Sequence, residues 1–142
     1  MKSFFKSYII MLIILAFLTV GVKFYLFNDV LGNTISVLDV IIHTIVYDVT
    51  MHVALMFVVA LPFFILVTKF TQFSAIYSIA MWFLVFLCND FASQFLFDDF
   101  LPTKTKSLWI ASVFVGVIYQ LIYNAFKKRE KVTAVKVDGV FE

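Results

Sequence analysis

The stretch "DVIIHTIVYDVTMH", from Asp39 to His52, holds both histidines of the chain. Asp39 stands four residues before His43, and Asp48 four before His52. Carboxylates and imidazoles at that spacing can bind a metal ion, pass a proton, or hydrogen-bond across one helical turn. Histidine titrates near neutrality, so a pH response is also within their chemistry. Geometry disfavours one shared metal site. His43 and His52 are nine residues apart, about 900° of rotation at ~100° per residue, so they point to opposite sides of a straight helix. Local pairing is expected instead, with Asp48 favouring the start of the following helix through the helix dipole. Asp39, His43, Asp48 and His52 are therefore read as an outer-face polar cluster, with no metal and no cofactor.

Other reactive combinations are missing. Cys88 is the single cysteine, which excludes an internal disulfide and a Cys-rich metal site. Ser112 has no histidine within the following apolar run to act as its base. The runs 53–67, 73–88 and 107–126 contain no charge, and ionisable residues inside a membrane mark ion paths and proton relays. A proton-coupled transporter, a haem carrier and an intramembrane protease are all disfavoured. We expect no enzymatic activity.

The elements that must position these residues follow from composition. The 142 residues are 63% hydrophobic and 14% charged, with 19 phenylalanines. An ordinary soluble domain is roughly 45–50% apolar and about 25% charged, so the surplus apolar surface must face lipid. A helix of about 20 apolar residues spans the bilayer core. Four such runs occur, at about 8–27, 50–68, 73–91 and 107–126. The first is too long for a cleaved signal peptide and reads as a retained helix. The expected fold is an all-α integral membrane protein with four transmembrane helices in one domain, 1–126. An amphipathic segment at 35–49 is expected to lie in the outer leaflet before turning into span two. Ile42, Ile45, Val46, Val49 and Val53 form its apolar face. An outer loop covers 92–106, and a basic cytoplasmic tail covers 127–142.

Orientation follows from lysine and arginine. With both ends in the cytoplasm, the inside receives Lys2, Lys6, Lys69, Lys127, Lys128, Arg129, Lys131 and Lys136, eight of the eleven cations. The outside receives six of the nine acids, Asp29, Asp39, Asp48, Asp90, Asp98 and Asp99. The pattern predicts an inner (cytoplasmic) membrane protein with both termini cytoplasmic. Tyr8, Tyr77 and Tyr123 are expected as inner interfacial anchors, and Tyr25 and Trp109 as outer ones. Lys23, near the end of span one, should snorkel outward or pair with Asp29 or Asp39. Pro62 should kink span two.

Within span four, Ser112, Gly116, Gln120 and Asn124 recur every four residues. Such a stripe allows close helix approach and hydrogen bonding. It serves either another span of the same chain or an oligomer interface or pore. Beyond the segment "NDFASQFLFDDFLP", which is acidic and aromatic and would cap the outer face, the last patterned feature is "VTAVKVDGVFE". It alternates as a strand does. Val135, Val137, Val140 and Phe141 would then bind a partner by strand addition. Expected partners are the lipid bilayer, further copies of the chain and a soluble cytoplasmic protein, with no direct nucleic-acid contact. The expected function is a non-enzymatic membrane subunit: an anchor, sensor or scaffold in a larger complex, with phage defence as one setting. The alternatives are a holin-like pore and an immunity or exclusion protein against a membrane-active toxin or phage.

Overall fold

The computed structural model describes residues 1–26, 36–96 and 105–138. Among them the chain forms four helices and no strand: α1 (Lys2–Tyr25), α2 (Val37–Phe70), α3 (Ala75–Leu96) and α4 (Thr105–Asp138). Each contains a window long and apolar enough to cross a membrane. Asp29, Asp98, Asp99, Phe97, Phe100, Val140 and Phe141 lie outside the described residues.

Each helix packs against the next, and α4 closes the ring onto α1. The α3–α4 seam is the most extensive. The core is aromatic at one end of the bundle. Tyr8 stacks on Trp82 with centroids 5.0 Å apart, and Phe4 meets Phe64 at 4.5 Å. Phe73, Tyr119 and Tyr123 complete the cluster. Tyr8 and Tyr123 are thus buried between helices. Their rings gain from aromatic neighbours beyond the area they bury. Tyr25 and Trp109 are exposed on the bundle surface, Trp109 stacked on Phe83 at 4.2 Å. Large apolar side chains cover the outside of every helix, including Phe17, Val58, Ile76 and Phe114.

Three expectations need correction. First, the segment expected at 35–49 does not stand apart from span two. Ser36 caps the helix, its Oγ accepting from Asp39 N–H at 3.1 Å, and α2 then runs unbroken through 34 residues. No glycine or proline interrupts the chain until Pro62, so nothing turns it. Second, the helix that Pro62 was expected to kink is not wholly α-helical. A wider π-type stretch, Met56–Ala60, precedes the proline and passes into Leu61–Phe70. The wider turn absorbs the missing proline N–H and the ring's clash with the preceding turn. Third, the tail is not extended. α4 continues to Asp138, because helix propagates cheaply from an existing helix whereas a lone strand lacks a partner.

Candidate functional site

α2 is turned inside out relative to a helix of a soluble protein. Ile42, Ile45, Val46 and Val53 point outward and are exposed. Thr44, fully buried, and the half-buried Asp48 and His52 form the stripe that faces inward. This is the face that meets α1. An amphipathic helix surrounded by water buries its apolar side. One surrounded by an apolar medium does the reverse, since its polar groups then find partners only within the bundle.

The geometry follows from the antiparallel pairing of α1 and α2. Lys23, six residues after the middle of its apolar run, carries its ammonium to the Asp48 carboxylate. The same nitrogen lies 3.0 Å from His43 Nδ1. An ammonium only donates, so His43 Nδ1 is an acceptor here. The lysine therefore pairs with an acid of the opening stretch, Asp48 rather than Asp39. Asp39 is occupied by Ser36, whose Oγ donates to Asp39 Oδ2 at 2.7 Å. The ion pair is partly accessible, at 26% and 35% for the two side chains.

His52 lies deeper. It lines one cleft with Leu12, Leu15, Ala16, Thr19, Asp48 and Val49, which sets it level with the middle of α1. Tyr8 Oη donates to the His52 carbonyl at 3.3 Å, and Phe86, near the middle of α3, meets its ring edge to face at 6.3 Å. His52 Nδ1 lies 2.8 Å from the Asp48 carbonyl oxygen. A carbonyl only accepts, so Nδ1 carries the proton and Nε2 is left with a lone pair. Nε2 has no hydrogen-bond partner among the described residues. The expected local Asp–His pairing is met at His52 through the Asp48 backbone carbonyl, whereas the Asp39 carboxylate is taken by the cap residue Ser36 and that of Asp48 by Lys23. The π-type stretch Thr44–Val49 contains Asp48, and such stretches re-aim side chains at sites of this kind.

The four candidates of the opening stretch thus separate. His43 and Asp48 converge on Lys23, His52 sits beneath them, and Asp39 stands apart. Lys23 was the member whose role the sequence left open. Its four-residue offset from Thr19, with Ala16 below, was the available signal. Among the described residues no three of His, Cys, Asp and Glu converge on a metal-sized point. Chemically, the seam is a charge-neutral pair with a half-buried imidazole below it, held between apolar outer surfaces.

The span-four stripe lies elsewhere, on the α3–α4 seam. A Cβ on Gly116 would come within 2.6 Å of Ile79 Cα, and Ser78 Oγ donates to the Gly116 carbonyl at 2.9 Å. Gln120 Nε2 donates to the Phe73 carbonyl at 3.3 Å and to Asn124 Oδ1 at 3.1 Å. Ser112 bonds back to the Leu108 carbonyl at 2.6 Å. Ser112, Gly116 and Gln120 are thus engaged inside the chain, and Asn124 is exposed. No family model, curated protein or solved structure matches the chain.

Proposed function

We propose that the chain is a non-enzymatic, multi-pass subunit of a cytoplasmic membrane. In this reading it anchors and presents a helical arm to a soluble partner, with both termini in the cytoplasm. The observation that carries the reading is the length of α4. Its span-like part is Ser107–Glu130, yet the helix goes on to Asp138. Thirty-four residues at 1.5 Å each make about 51 Å, against a hydrocarbon core of about 30 Å. The excess lies beyond the basic run Lys127–Lys131 and includes the exposed Val132. The close seam with α3 ties that arm to the bundle, so a partner on the arm is coupled to the helices in the membrane. The outward apolar face of α2 and the eight cations assigned to one side support insertion and sidedness. Lys23, Asp48 and His52 give the bundle an ionisable seam through which a sensing role would act.

The test is a truncation after Lys131 in living cells, beside a photo-reactive residue placed at Val132. The truncated chain should insert normally and lose its biological activity, and the full-length chain carrying the photo-reactive residue should cross-link to a cytoplasmic protein. Full activity after truncation would sink the scaffold reading.

A further inference from the structure

The bundle gathers its cations at one end. Lys2 and Lys6 of α1, Lys69 of α2, and Lys127, Lys128 and Arg129 of α4 all belong to it. Against them stands one acid with a described side chain, Glu130. The charges of α1 and α4 come from segments more than a hundred residues apart, and packing joins them. Tyr119 Oη donates to the Phe4 carbonyl at 3.4 Å, which brings the start of α1 against the middle of α4. Just beyond, Lys6 Nζ lies 5.8 Å from the centre of the Phe126 ring, and Lys127 Nζ lies 5.7 Å from that of Tyr123. Lys6 thus holds its ammonium over a ring of the opposite helix and Lys127 over a ring of its own, which brings both charges to the aromatic end of the α1–α4 seam.

The spacing concentrates the charge further. Lys2 and Lys6 are four residues apart on α1. Like charges at that spacing repel and weaken a helix. That pair, beside Lys127 and Lys128 on the adjacent helix, leaves a strip of positive potential that an anion relieves. At the edge of a bilayer the abundant anions are phosphodiesters, and basic pockets between helices hold such headgroups.

We propose that the α1–α4 seam at this end is a headgroup site for anionic phospholipid, and that it prefers a lipid carrying two phosphates. Lys6 and Lys127 supply one contact from each helix, with Lys2 and Lys128 flanking them. Phe126 forms the apolar floor against which the acyl chains begin. The site rests on the chain being a membrane protein, but not on which side this end faces.

The experiment uses the full chain in phosphatidylcholine nanodiscs doped with equal charge of phosphatidylglycerol or cardiolipin, and mass spectrometry of the intact complexes. Wild type should retain cardiolipin in preference to phosphatidylglycerol, and both over phosphatidylcholine. Each basic residue near an anionic surface contributes about fivefold, so the double variant Lys6→Gln/Lys127→Gln should bind cardiolipin about 25-fold more weakly. Lys69→Gln removes a cation from the same end but off this seam, and should keep the preference for cardiolipin. Equal loss from Lys69→Gln would show a diffuse field instead of a seam and overturn the proposal. Displacement of cardiolipin by excess soluble pyrophosphate would reassign the seam to a free polyanion and overturn it too. A chain that inserts but shows no lipid preference refutes the site alone, whereas one that never inserts refutes the membrane reading with it.

Discussion

Gly116→Ala is the sharpest test of how this bundle is held together. The added Cβ would meet Ile79 Cα at 2.6 Å and Ile79 N at 2.8 Å. Those are backbone atoms, so no rotamer change relieves the contact, and α3 and α4 must separate. Overpacking of this kind costs about 1–3 kcal/mol. Separation also stretches the Ser78–Gly116 hydrogen bond, and such bonds in membranes average about 0.6 kcal/mol. Alanine's better helix propensity returns up to ~1 kcal/mol. The net expectation is a loss of about 2 kcal/mol, read as a lower midpoint when the protein is unfolded by titrating a denaturing detergent into mild micelles. Gly21→Ala is the paired control. Nothing lies within 4 Å of the position a Cβ would take there, so that variant should be unchanged or up to ~1 kcal/mol more stable. If Gly116→Ala leaves the midpoint unchanged while altering the oligomeric mass, the close approach belongs to a subunit contact and the reasoning about the α3–α4 seam is wrong.

Three further outcomes are expected. Asp48→Ala should destabilise the bundle by about 1–3 kcal/mol, since it leaves Lys23 without its charged hydrogen-bond partner, while Lys23→Met/Asp48→Leu should recover much of that loss. A double-mutant cycle with no coupling between Lys23 and Asp48 would contradict the ion pair. Reporter fusions at Gly32 and after Glu142 should read outside and cytoplasmic respectively, and an active cytoplasmic reporter at Gly32 would overturn the orientation. Elemental analysis should find no stoichiometric transition metal, and one zinc per chain lost in His43→Ala would prove the polar cluster to be a metal site.

Much of this protein is readable in one dimension. Four helices follow from four runs of some twenty apolar residues, because the criterion is a sum over neighbours in sequence and needs no partner. The charge asymmetry is likewise a count along the chain. The proposed sidedness rests on it alone. What sequence could not settle was which way each helix faces. Ile42, Ile45, Val46 and Val53 are legible as one face of a helix, but only packing on α1 turns Thr44, Asp48 and His52 inward. His52 reads as an edge residue because a hydropathy window starts near it, yet it sits at mid-height because α2 is 34 residues long and meets α1 far from its own start. The partner of Lys23 is 25 residues away and depends on the antiparallel register of two helices. The stripe around Gly116 was visible as small residues at helical spacing, but the pattern is the same for any neighbour. Only the 2.6 Å approach to Ile79 assigns it to α3. Periodicity and charge are properties of a segment and survive in its sequence. Depth, register and facing are properties of pairs of segments, and they exist only once the helices have packed.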